Sequence, residues 1–260
     1  MNPAYSQRTD SSHPQLFGLA IDESDSMRDP IGLDEQGAVV TKHDASVRAV
    51  KEEVFDEVLF TAREDADLRD MFHAFGVGFG GRARDLWNGQ LLHTAELTRS
   101  PRLRAQGDTP MHEGLVRVRD RLVQILPTYQ DCNPPVVLLL SDGMATGPGD
   151  VEAVGREIQE LTTNYGNVLI LCCYMDLHVP NAQLQAREDP TWPEGAKLLF
   201  KIASEIPPGS RIERWFHEHK AQFPTAPQPG DRLMFQVGDM FALRAAISVV
   251  ASTLGNSNTD

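Results

Sequence analysis

Consecutive apolar residues mark the strands of this chain. Leu16 to Asp22, Pro135 to Leu140 and Val168 to Met175 are apolar at nearly every position, the mark of strands buried on both faces. Met71–Gly80 and Arg232–Val237 read as further strands, and Arg84–Trp87 as an antiparallel edge returning beside the first of these. Between strands the spacing becomes helical. Val47, Val50, Val54, Val58 and Leu59 share one face of a helix predicted from an Asp44 N-cap to about Glu64. Leu115, Val118, Leu122 and Ile125 form a second stripe, on a helix opened by Thr109 and Pro110. Further helices are predicted from an Asp150 cap through about Asn164, over Glu194–Ile206 with Leu198, Leu199 and Ile202 inward, and over Met240–Leu254. Leu91–Gln106 is mixed, and Arg28–His43 and His178–Pro193 read as roomy loops.

Strands alternating with helices predict an α/β fold. The expected form is a Rossmann-like doubly wound sheet, mostly parallel with one short antiparallel edge strand, and helices on both faces. The expected organisation is a polar tail at 1–14, one domain over 15–254 and a short tail at 255–260. An insertion at 207–230 separates the penultimate helix from the last strand. Arg214, Trp215, Phe216 and Phe223 make it either a second contact surface or a loop packed by its own aromatics.

Composition narrows the function classes. The net charge of −13, from 24 basic and 37 acidic residues, argues against a phosphate-backbone binder and hence a nucleic-acid partner. The sequence shows no long apolar span and no signal-peptide core before His13, so neither a membrane nor export is expected. Cys132, Cys172 and Cys173 are odd in number, and the adjacent pair points to opposite faces of one strand. No disulfide framework is expected, and a reducing cytoplasm is the simplest home.

The chemistry gathers where strands end. Asp22, Ser24 and Ser26 offer one carboxylate and two hydroxyls from a single turn. Such oxygens suit Mg²⁺ or Mn²⁺, while an Asx-turn or helix cap explains the same string without a ligand. Asp142 ends a later strand within Ser141-Asp142-Gly143. If the two strands are neighbours, both carboxylates open into the crevice where strand order reverses, and Thr109 could add a hydroxyl.

Asp22-x-Ser24-x-Ser26, the loop Gly107-Asp108-Thr109-Pro110 and Ser141-Asp142-Gly143 resemble, in order, the metal-ion-dependent adhesion site of von Willebrand factor type A (vWA) domains. The resemblance runs over roughly Leu16 to Leu254 and implies the vWA fold. It implies a complete site for Mg²⁺ or Mn²⁺. Ser24 and Ser26 would bind the ion directly, Thr109 would do so in the ligand-bound state, and Asp22 and Asp142 would act mainly through water. A partner's Asp or Glu would take the replaceable position. The implied protein is a non-catalytic, stand-alone intracellular prokaryotic module, an adaptor in a bacterial stress, signalling or defence system.

This chain departs from that pattern at Asp25 and Asp108, where small residues are usual. With Glu23 and Asp29 they are expected to make the site more negative. Asp25, Arg28, Asp108, Trp192 and Trp215 are the candidate partner-binding residues.

Other signals are weaker. Gly76-x-Gly78-x-x-Gly81 matches a dinucleotide fingerprint formally but overlaps a strand, and an edge hairpin explains it. His217-x-His219 lacks companions at metal-binding spacing. A Mg²⁺-dependent phosphohydrolase using Asp22 and Asp142 is the enzymatic alternative, set aside because no lysine is expected to adjoin either strand end. An RNA-binding A domain fits poorly with the net charge.

Overall fold

The computed structural model describes residues 9–10, 12–34, 36–64, 71–99, 101–178, 182–185, 187–219 and 227–251. The expectations for Phe223, 252–254 and 255–260 lie outside them. Strand β1 (Gln15–Asp22) is followed by a hairpin of β2 (Pro30–Leu33) and β3 (Val39–Thr41). Helix α1 (Lys42–Val50) runs through a π-helical turn, Lys51–Phe55, into α2 (Asp56–Glu64). Then come β4 (Phe72–Gly80), β5 (Arg82–Asp85), β6 (Leu92–His93), α3 (Met111–Ile125), β7 (Val136–Ser141) and α4 (Val151–Glu160). The small hairpin β8 (Thr162–Thr163) and β9 (Gly166–Asn167) leads into β10 (Leu169–Met175) and β11 (Ala182–Gln185). Helices α5 (Glu194–Ile202) and α6 (Arg211–Glu218), strand β12 (Arg232–Val237) and helix α7 (Met240–Ala251) close the order.

The main sheet runs β11-β12-β10-β7-β1-β4-β5, with β6 also on β4. Its five inner strands, β12, β10, β7, β1 and β4, are parallel. Antiparallel strands finish both edges: β5 and β6 on β4, and β11 on β12. The single edge strand expected at Arg84–Trp87 is β5, shifted to Arg82–Asp85, and two more accompany it. Chain order reverses between β1 and β7, which pair directly from Phe17↔Val136 to Ile21↔Leu140. That places the crevice of a doubly wound sheet where Asp22 and Asp142 emerge.

Alternate residues of the strands feed two cores. Phe17, Leu19 and Ile21 face α1, α2, α6 and α7, while Leu16 and Ala20 face α3, α4 and α5. Each fully buried Leu, Ile or Phe contributes about 1.5–3 kcal/mol, so the strand ends are held by a rigid frame. Cys172 and Cys173 fall in opposite cores, as alternation requires, and all three cysteines are buried and free.

Several boundaries move. Thr41, not Asp44, caps α1: its hydroxyl accepts the Asp44 amide at 3.0 Å. Helix α4 stops at Glu160, short of Asn164, because the chain turns through Asn164 and Tyr165 into the β8–β9 hairpin. Helix α5 stops at Ile202; Ala203 is extended, and Ser204 bonds to Ile170 of β10. The supposed loop Arg28–His43 holds the β2–β3 hairpin. Residues 9–10 and 12–14, read as part of a tail, pack onto the domain: Thr9 is fully buried and accepts from Asn133 at 3.1 Å.

Candidate metal centre

Asp22 leaves β1 with both carboxylate oxygens engaged. Oδ1 accepts the Ser24 amide at 2.8 Å, and Oδ2 accepts the Ser141 hydroxyl at 2.6 Å. Ser141, the last residue of β7, therefore ties the two strand ends together across the crevice. Burial pushes the Asp22 carboxyl up to about 6 against these hydrogen bonds, and the nearby charge of Asp142 adds to the rise. Ser24 and Ser26 bring their hydroxyls within 3.0 Å of each other. Asp25 to Arg28 is a single 3₁₀ turn, which returns Ser26 to the side of Ser24.

Thr109 reaches the same end of the sheet through its loop. The Asp25 amide donates to Gly107 O at 3.0 Å, and the Thr146 amide to Thr109 O at 2.8 Å. Its loop thus bridges the turn after β1 and the turn after β7. Asp22, Ser24, Thr109 and Asp142 are buried, and Ser26 is partly exposed. The structure gathers all five sequence-predicted donors at one end of the sheet.

Asp142 differs from Asp22. Its Oδ2 accepts a hydrogen bond from the Lys42 ammonium at 3.1 Å, with both side chains more than nine-tenths buried. Its Oδ1 is buried and has no hydrogen-bond partner. A bare carboxylate oxygen away from water costs roughly 1–3 kcal/mol or more, a cost that a donor or cation reaching it would recover. Lys42 corrects the sequence reading directly: a lysine does adjoin a strand end. It arrives from the first turn of α1, positioned by its amide on Asp29 O at 2.9 Å.

The turn after Asp142 is glycine for a reason. Gly143 has φ +78°, and a Cβ there would meet the Gly195 backbone at 2.6 Å. Among the described residues no group of three or more His, Cys, Asp and Glu side chains is arranged to hold a metal. Here the donors are two carboxylates and three hydroxyls. Hard, mostly neutral oxygens of this kind fit Mg²⁺ or Mn²⁺ and not the softer transition metals.

The expected acidic shell is corrected at Glu23. Its buried carboxylate points along the sheet to Arg84, with Nε at 2.9 Å and Nη2 at 2.5 Å, and also accepts the Arg104 amide at 2.6 Å. Gly78 and Gly80 of β4 make this possible, since a Cβ at either would come within 2.3 Å of Glu23 atoms. Of the glycines that mimic a dinucleotide fingerprint, Gly78 thus makes room for an ion pair, while Gly76 packs against Leu86 and Trp87.

Asp25, Arg28 and Asp108 are exposed beside the site, and Arg28 donates to Ala105 O. Trp192 is partly buried, edge-on to Phe200 at 5.6 Å. Trp215 is on α6, stacked on His219 at 4.2 Å and packed against the core, while its neighbour Phe216 is fully buried. His219 also bonds to Trp215 O at 2.9 Å. Sequence reasoning missed Leu33, Val39, Met144 and Leu177, large apolar residues exposed on connections that leave the carboxyl ends of strands. Their signal was apolar side chains inside stretches read as loop.

No family model matches the sequence, and no curated protein matches it. Solved structures do. Proximal thread matrix protein 1 of the mussel byssus aligns at 14% identity and TM-score 0.51, over 94% of this chain and 48% of that one. The open form of the pilus adhesin SpaC from Lactobacillus rhamnosus GG aligns at 12% identity and TM-score 0.51, over 95% and 30%. A von Willebrand factor type A structure from Catenulispora acidiphila aligns at 21% identity and TM-score 0.38, over 62% and 33%. The chain spans about half the length of the first and a third or less of the other two. The first two likenesses show the fold: a Rossmann-like, mostly parallel sheet, consistent with that of vWA domains.

Proposed function

We propose that this protein is a divalent-cation-dependent interaction module of the vWA type. Asp22, Ser24, Ser26, Thr109 and Asp142 would hold Mg²⁺ or Mn²⁺, and a partner protein's Asp or Glu carboxylate would complete the site. The observation that carries this reading is Asp142 Oδ1, buried and unbonded at the end of the strand next to the one whose end bears Asp22, Ser24 and Ser26. The bound ion supplies an electrophilic point that a carboxylate can neutralise. This chain's residues position it and exclude water around it. Leu33, Val39, Met144 and Leu177 support a docking role, because apolar groups beside a polar anchor are what an interface core uses.

Three buried free thiols fit a reducing cytoplasm. No described helix is long and apolar enough to cross a membrane. An adaptor in a bacterial stress, signalling or defence assembly is the setting we infer. The test is pull-down from the native host with Mn²⁺, with EDTA, and with Asp22→Ala. Loss of the same partner in the last two conditions, with the circular-dichroism spectrum unchanged, is expected; retention in EDTA would overturn metal bridging.

One observation favours a second reading, a Mg²⁺-dependent phosphohydrolase. Lys42 beside Asp142 supplies the cation whose absence from the sequence pattern had counted against it. The engagement of both Asp22 oxygens makes that residue a poor nucleophile. Turnover of p-nitrophenyl phosphate that disappears in Asp142→Ala would favour the enzyme.

A further inference from the structure

We propose that Lys42 is an internal counter-cation, so that a divalent ion enters this site by exchange: the ammonium leaves Asp142 as the ion arrives. The proposal rests on the metal-bridged reading above and adds how the site is regulated.

The charges explain why. Asp22 and Asp142 bring two buried carboxylates to neighbouring strand ends, and their mutual repulsion needs an offset when no ion is bound. Lys42 supplies one positive charge from within the chain, in a bond to Asp142 between two side chains that are each more than nine-tenths buried. A divalent ion neutralises both carboxylates by itself. With the ion in place the ammonium becomes surplus positive charge in a buried crevice, close to a second cation. Such a group leaves for water when it has a route.

The geometry gives the exchange its direction. Asp22 has both oxygens committed to Ser24 and Ser141, groups that brace the turn and carry no charge. Asp142 has one bare oxygen and one held only by the ammonium, so it is the carboxylate with capacity to spare. The Lys42 backbone is pinned by its amide on Asp29 and by Ser46 donating to its carbonyl at 2.8 Å. Movement therefore falls to the four-carbon side chain, a flexible stem with a point charge, which an arginine fork would not match. Thr41 ends β3 and Lys42 opens α1, so the displaced ammonium stays tethered to the start of that helix.

The experiment uses the full chain. Mn²⁺ dissociation constants are measured by titration calorimetry for wild type, Lys42→Met and Lys42→Arg, with melting temperatures in EDTA and in Mn²⁺. Acetylation of Lys42 by a water-soluble succinimidyl ester is followed by mass spectrometry, with and without Mn²⁺. Exchange predicts that Lys42→Met binds Mn²⁺ at least tenfold more tightly, melts lower in EDTA and gains more from Mn²⁺ than wild type. It also predicts that Mn²⁺ raises Lys42 acetylation in wild type severalfold, and that Lys42→Arg does not tighten binding. Equal Mn²⁺ affinity in wild type and Lys42→Met would overturn the exchange while leaving the metal site standing. So would unchanged acetylation at saturating Mn²⁺. If neither protein binds Mn²⁺, the metal reading fails and the exchange with it. Should Lys42→Met fail to fold, the acetylation arm on wild type decides alone.

Discussion

Two buried acids stand at neighbouring strand ends, Glu23 just after β1 and Asp142 just after β7, and the chain treats them in opposite ways. Glu23 accepts two hydrogen bonds from Arg84 and one from the Arg104 amide, and glycines in β4 give it room. Asp142 has one bond to a lysine and one oxygen with none. A saturated buried ion pair braces structure, and breaking it leaves a stranded charge. A buried carboxylate left half-satisfied is expensive by the same reasoning, and a fold keeps it where a ligand completes it. The difference separates scaffold from site between two neighbouring strand ends.

The contrast is sharpest if Glu23 is removed. Glu23→Ala should destabilise the protein by about 3–5 kcal/mol, a fall in melting temperature of roughly 10 °C, equal with and without Mg²⁺. A metal-dependent loss would mean that Glu23 belongs to the site after all. Asp142→Asn should abolish the rise in melting temperature produced by Mn²⁺ and lower the ion-free melting temperature by several degrees, since Lys42 is left buried without its carboxylate. A Mn²⁺ response that survives would break the comparison from the other side.

Ser24→Ala with Ser26→Ala should weaken Mn²⁺ binding at least tenfold in calorimetry. It should cost only about 1 kcal/mol of stability in EDTA, the worth of one hydroxyl pair. The smallest effect is expected at the more exposed pair of Arg117 and Asp85, 2.7 Å apart. Hydrogen bonding from Arg117 holds the Asp85 carboxyl below the usual carboxylate range. Its contribution is therefore present above the ordinary value and is lost as pH falls through the lowered one. Arg117→Ala should cost no more than about 1 kcal/mol in urea melts at neutral pH, and less near pH 3.

Four of the five donors were legible because they lie in short strings at the ends of apolar runs, and Thr109 because it opens a helix with Pro110. Asp22, Ser24, Ser26 and Ser141-Asp142 could be placed by reading the strands alone. Lys42 could not. It lies beyond a hairpin that the sequence presents as loop, and its proximity to Asp142 depends on where α1 starts, which the choice of Asp44 as cap put three residues late. The inward path of Glu23 was hidden for a similar reason. Room for it is made on another strand, by Gly78 and Gly80, the first of which sits in a pattern that suggests a nucleotide turn. Helices α4 and α5 were read too long because their apolar spacing continues into the hairpin and strand-like segments that follow. Tertiary pairing at Asn164 and Ser204, invisible to local periodicity, ends them.

The contact of Gly143 with Gly195 has a mechanical meaning. Two main chains touch there with no side chain between them, so a shift of the first turn of α5 would pass directly, as through a lever, to the turn bearing Asp142. A methyl added at position 195 would wedge that lever open and displace the carboxylate without altering a single donor. The rim formed by the start of α5 is thus a handle from which the crevice can be worked at a distance.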